Sequence, residues 1–303
     1  MSFAFRPATR EGVGLIILVS GPSGGGKTWS SFALAQGMSG GKRFAVIDTE
    51  NGRAKFYADR FAFDHGDLTA PFSPQHYLEA IIAADEAGYP VICVDSFSHE
   101  HAGEGGIIDM ADAEMKRMGG GANVKMASWI APKQAHKRLI YRMLQCKAHL
   151  VLTLRAESKI DMIKDDSGKM KVVPKRSMTS IEGYIPICEK NLPFEATASA
   201  LLLPDAPGVP QWIKLPEPLR PMFPEGKPIT EEAGKMLAAW AQGGATSAPA
   251  SAQKTTGAKA VRNREEADCT HCNCVVEVGM GWSKDGKVIH VTCVEDAKAA
   301  RGR

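Results

Sequence analysis

The chain has 303 residues, 44% of them hydrophobic, enough for one large core and a small second module. Its 37 Lys and Arg against 34 Asp and Glu leave a net charge of +3, so bulk charge neither demands nor excludes a polyanionic partner, and any nucleic-acid surface has to be argued locally. The longest apolar runs, Leu15–Val19 and Leu201–Leu203, fall far short of the roughly 20 residues of a membrane helix, and Met1–Arg6 lacks the features of a secretory signal; the expectation is a cytoplasmic protein with no membrane partner.

Taken in chain order, the first element is an apolar run from Gly14 to Ser20, read as a strand buried on both faces. It leads straight into Gly21-Pro22-Ser23-Gly24-Gly25-Gly26-Lys27-Thr28, which opens a helix over Thr28–Met38. Strand, glycine-rich turn and helix in that order make a phosphate-binding loop. The glycines let backbone N–H groups approach phosphate oxygens, Lys27 neutralises the β and γ phosphates, and the Thr28 hydroxyl is placed to ligate Mg²⁺. The implied cofactors are ATP and Mg²⁺.

A second strand, Arg43–Asp48, ends in Asp48-Thr49-Glu50 and brings carboxylates to the sheet edge where ligands bind in such folds. Glu50 is the candidate for polarising an attacking water. A helix over Pro74–Ala87 precedes a third strand, Val91–Asp95, whose terminal Asp95 is the candidate second magnesium ligand, a Walker B carboxylate. A glycine-containing segment, Lys116–Lys125, and a helix over about Ala131–Gln145 follow; Lys133, His136, Lys137, Arg138 and Arg142 give that helix a basic character suited to phosphate contacts, or to a solvated face. The fourth strand, His149–Leu154, runs into Arg155, a cation that could sense the γ-phosphate or stabilise transition-state charge. Residues 159–176 alternate around Asp166-Ser167-Gly168 and read as a β-hairpin, rich in lysine and without an aromatic residue for base stacking. Strands alternating with helices give an α/β fold with a mostly parallel sheet.

Residues 242–267 are small and polar and read as a flexible linker between a domain of residues 1–241 and a module of residues 268–303. Cys93, Cys146 and Cys188 stand singly, as reduced buried thiols do, whereas four cysteines crowd into residues 269–293. Cys269-x₂-Cys272, then seventeen residues, then His290-x₂-Cys293, can close a tetrahedral structural Zn²⁺ site, with Cys274 an alternative to Cys272. The hairpin expected inside it pairs Val275–Val278 with Lys287–Ile289.

The order of motifs resembles the RecA-like recombination ATPases. Phe44–Glu50 looks like the segment that carries their catalytic glutamate, and Val91–Ser96 like their Walker B strand. Arg155 falls where that family usually has a glutamine linking the γ-phosphate to the DNA-binding loop. A closer resemblance is to phage and prophage AAA-type ATPases, some of them single-strand annealing proteins, carried by Asp95–His101, Trp129–His136 and Leu154–Lys159. These resemblances imply a RecA-like P-loop core, ATP hydrolysis, single-stranded DNA on the loop after the fourth strand and a homo-oligomer, while the zinc module, outside the likeness, is expected to dock a phage or host replication or recombination protein. A replication or packaging motor, and an ATP-dependent regulator that does not hydrolyse, remain alternatives. A small-molecule kinase is disfavoured, since no arginine-rich lid is evident.

Overall fold

The computed structural model describes residues 10, 12–164, 168–175, 181, 183–243 and, beyond them, 261–262, 267–269, 272, 274–277, 280–284, 287–290 and 293. The chain divides into two compact units, Met1–Thr246 and Ser247–Arg303.

The first unit is built on one sheet. In chain order it contains β1 (Ile16–Gly21), α1 (Lys27–Met38), β2 (Phe44–Asp48), β3 (Phe63–Asp67), α2 (Pro74–Glu86), β4 (Val91–Asp95), α3 (Ser98–Ala102), α4 (Ile107–Arg117), α5 (Ile130–Met143) and β5 (His149–Ser158). These are followed by β6 (Ile160–Lys164), β7 (Met170–Pro174), β8 (Tyr184–Pro186), α6 (Leu192–Glu195), β9 (Ala198–Leu202), β10 (Pro210–Lys214) and α7 (Glu231–Ala241). The strand order is β10-β9-β1-β5-β4-β2-β3, with β8 paired to the outer part of β5. From β9 to β3 every pairing is parallel; β10 and β8 are antiparallel additions.

Side chains that alternate along buried strands supply two cores. Ile17, Val19, Phe44, Val46 and Cys93 face α1 and α7, packing on Phe32, Leu34 and Leu237. Ile16, Leu18, Ile47, Ile92, Val94 and Leu152 face α2 and α5, meeting Tyr77, Ile81, Leu139 and Met143. A strand apolar on both sides is what this three-layer arrangement requires. Helix ends are closed locally: Ser73 caps α2 by accepting from the His76 N–H, with Pro74 at the first helical position.

All four strands expected from sequence are present, and all four parallel strand ends meet at one edge. There Gly21 is in register with Arg155, and Asp48 with Asp95. The hairpin β6–β7 follows the end of β5 at Ser158, and Asp165, Asp166 and Ser167 between its strands lie outside the described residues.

In the second unit β11 (Val261–Arg262) pairs β14 (Gly281–Lys284), β14 pairs β15 (Lys287–His290), and β12 (Ala267–Asp268) pairs β13 (Val275–Val276). The partner of Lys287–His290 is therefore Gly281–Lys284, not the expected Val275–Val278: the two strands are only two residues apart in sequence, and pairing nearest neighbours closes the shortest loop. Most of the expected linker lies outside the described residues.

Candidate nucleotide site

The phosphate loop is shaped by two glycines at left-handed dihedrals, Gly24 and Gly26, both at φ +83°. Gly26 is the N-cap of α1 and no side chain caps that helix, so its first-turn N–H groups are left for the oxygens of an anion. A cleft of about 840 Å³ opens above it, lined by Gly21, Pro22, Ser23, Gly24, Gly26, Lys27 and Thr28 and walled by Glu50, Asp95 and Arg155. Gly25 turns the other way: its carbonyl accepts from the Gly208 N–H at 3.0 Å, and a Cβ there would stand 2.4 Å from the Leu202 carbonyl oxygen of β9. It anchors the loop to the sheet instead of touching the cleft.

Lys27 donates to the Pro22 carbonyl at 2.9 Å. Burial pulls its ammonium below the ordinary range, Asp95 and Glu50 oppose that, and Arg155 adds to it. Thr28 Oγ1 donates to Asp95 Oδ2 at 2.6 Å, and Thr153 Oγ1 donates to Asp95 Oδ1 at 2.5 Å. One hydroxyl and one buried carboxylate at hydrogen-bond distance form the hard, all-oxygen donor set that suits Mg²⁺ beside phosphates. Burial pushes the Asp95 carboxyl above its ordinary value, with the two hydroxyls drawing it back.

Glu50 reaches the same cleft. Asp48 is held by backbone: its carboxylate accepts from the Glu50 N–H at 2.6 Å and the Ala54 N–H at 2.9 Å, with His65 Nε2 at 3.1 Å. This folds residues 50–54 into a turn that presents Glu50 to the cleft. Arg155 donates to Glu50 Oε1 through Nε at 3.1 Å and through a terminal nitrogen at 2.7 Å, while Arg53 reaches Oε2 at 3.2 Å. The Glu50 side chain is 16% exposed and that of Arg155 is 48% exposed. Arg155 thus meets the candidate general base as well as the cleft, an ion pair that strand-end reasoning had not joined.

Residues 14–184 match the model of a family described as an AAA domain. The chain belongs to that family. Comparison with curated proteins gives no match. The AAA domain match runs from β1 to β8, so the phosphate loop, Glu50, Asp95 and Arg155 all fall inside an ATP-binding P-loop domain.

Around this AAA site stand residues that motif reading passed over. Thr153 is a hydroxyl set in an apolar strand, and that lone polar position was the available signal. Thr49, Ser96 and Tyr77 form a lattice beneath: Thr49 N–H donates to the Asp95 carbonyl at 2.8 Å, Ser96 N–H to Thr49 Oγ1 at 2.9 Å, and the Tyr77 hydroxyl to the Ser96 carbonyl at 2.9 Å. Phe56, 84% exposed, lines the mouth of the cleft with Arg53 and Tyr57. His99 shares a 2.7 Å hydrogen bond with Thr49 Oγ1 and stacks near Phe72, a structural contact beside Asp95. His136 is corrected: it is buried against Glu100, not part of a basic surface. Lys133, Lys137, Arg138 and Arg142 do lie on the exposed face of α5.

In the second unit the Sγ atoms of Cys269, Cys272 and Cys293 lie within 4.8 Å of one another. Cys274 is outside that trio, its thiol donating to the Cys272 carbonyl at 3.5 Å. Burial and then Cys272 push the Cys293 thiol up to about 11. Three thiols drawn this close, whose joint ionisation a bound cation would favour, are a donor set that Zn²⁺ fits, since the metal binds them as thiolates. The side chain of His290 lies outside the described residues. Among the described residues no helix is long and apolar enough to cross a membrane.

Proposed function

We propose that the protein hydrolyses ATP and couples hydrolysis to single-stranded DNA, as a phage-type recombination or single-strand annealing ATPase. The observation that carries hydrolysis is the convergence of Glu50, Asp95 and Lys27 on one cleft beside the phosphate loop. In this reading Thr28 and Asp95 would hold Mg²⁺, and the bound ion would supply positive charge beside the phosphate oxygens. Lys27 and the α1 N-terminus take the developing negative charge, and Glu50 accepts a hydrogen bond from water in line with the γ-phosphate. Arg155, bonded to Glu50 through two nitrogens, keeps that carboxylate aimed.

The DNA part is supported by the hairpin. It follows directly on the end of β5, the strand that carries Arg155, and has Lys164 and Lys171 among exposed residues. Lys159 and Lys175 are partly offset by Glu157 at 2.8 Å and Asp161 at 3.7 Å. The register puts Ile160, Met162, Met170, Val172 and Pro174 on one face, all of them exposed. An exposed apolar stripe bordered by lysines suits a strand whose phosphates are neutralised while its bases lie on apolar side chains. Homo-oligomerisation, and docking of a replication or recombination protein on a zinc-bound Cys269, Cys272, His290 and Cys293 module, belong to the same proposal.

ATP turnover measured without DNA, with single-stranded DNA and with duplex DNA tests it. The expected result is stimulation by single-stranded DNA that weakens with salt. Turnover indifferent to every DNA contradicts the recombination reading and favours the regulator.

A further inference from the structure

Away from the cleft, a second set of ionisable groups is buried. Glu100 is fully enclosed, and one of its oxygens accepts from His136 Nδ1 at 2.9 Å. The other ring nitrogen of His136 stands 3.9 Å from Glu189, which is itself held by the Asn191 N–H at 2.7 Å. The second oxygen of Glu100 has no hydrogen-bond partner. Burial pushes the Glu100 carboxyl up and His136 draws it back. A carboxyl–imidazole pair buried this deep is seldom kept for stability, because well-packed apolar side chains of the same volume do as well.

What the pair holds is α3. This helix has five residues, too short to be stable by itself, and it begins three residues after Asp95. Three consecutive side chains anchor it. Ser98 Oγ accepts from the Arg155 N–H at 2.8 Å, His99 bonds to Thr49 at 2.7 Å, and Glu100 bonds to His136 on α5. The first two contacts fix the backbone on either side of the Glu50–Arg155 pair. The third ties that arrangement to a helix outside the cleft, and neither Glu100 nor His136 lines the cleft.

We propose that Glu100 and His136 are positioning residues: their hydrogen bond seats α3 so that Ser98 and His99 hold Arg155 and the Glu50 turn in hydrolytic geometry. The proposal rests on the reading of Glu50 as the group that orients water. It assigns the pair to the chemical step and not to nucleotide affinity, since the phosphate loop is anchored separately through Gly25 and β9.

The test uses the full chain with His136→Leu, His136→Gln and the double variant E100M/H136L, which removes both members of the pair together and leaves Glu189 held by the Asn191 N–H; thermal unfolding verifies that each variant is folded. Steady-state ATP turnover and the affinity for a fluorescent ATP analogue are measured beside the wild type. His136→Leu and the double variant are expected to lower kcat roughly tenfold or more, as small misplacements of catalytic groups do, with affinity within about twofold. His136→Gln, whose amide can still donate to Glu100, is expected to recover most of kcat. Wild-type kcat in the double variant, or affinity and kcat falling together, overturns the proposal. A wild type that binds ATP without turning it over contradicts the hydrolytic reading itself, and the positioning role falls with it.

Discussion

Asp95 is 8% exposed, and burial pushes its carboxyl above the ordinary range while Thr153 and Thr28 hold it back. An acid whose folded-state pKa is raised favours folding in its protonated form. Its ionisation therefore costs stability, and the cost grows as pH rises through the folded pKa. Asp95→Asn removes that charge while keeping the shape. Without Mg²⁺ or nucleotide, its thermal midpoint at neutral pH should equal or exceed that of the wild type. Mg²⁺-dependent turnover should fall roughly 100-fold or more. A midpoint several degrees lower would show that the carboxylate supports the fold. Arg155 offers the opposite case. Its pair with Glu50 is half exposed, so Arg155→Ala should change stability by less than about 1 kcal/mol in a denaturation experiment. Turnover should nevertheless drop, because Glu50 loses the partner that aims it. Unchanged turnover would reduce Arg155 to a surface cation.

At the scale of elements, the fold was legible wherever a strand is buried on both faces. Gly14–Ser20, Arg43–Asp48, Val91–Asp95 and His149–Leu154 are near-continuous apolar runs, and each became a central strand. Phe63–Asp67 escaped notice because an edge strand reading Phe-Asp-His-Gly-Asp carries no such run. The phosphate loop, Glu50 and Asp95 were legible for a related reason, since each directly follows or ends one of those runs. Arg155 could be placed but not paired, and the Glu100–His136 contact spans α3 and α5 with no sequence signal of proximity. The α1–α7 pairing was equally hidden. A Cβ on Gly37 would meet the Glu231 carbonyl oxygen at 1.9 Å, and one on Gly234 the Leu34 oxygen at 2.2 Å, so the helices touch backbone to backbone. Gly37→Ala should destabilise by about 1–3 kcal/mol or more, although alanine is the better helix former. Denaturant unfolding checks this, and a stabilised variant would contradict the close approach.

For the whole molecule, two compact units imply two separable stabilities. The full chain should carry about one Zn²⁺, lost in Cys269→Ser, with residues 247–303 becoming protease-sensitive while nucleotide affinity is unchanged. Metal content identical in that variant would remove Cys269 from the site. The claim on which the rest depends is that the cleft between Gly21 and Arg155 breaks the β–γ bond of ATP. Glu50→Gln tests it most directly, with ATP turnover and ATP affinity measured on the same preparation beside the wild type. The account predicts retained affinity with turnover lowered roughly 100-fold or more. Turnover equal to that of the wild type would contradict it.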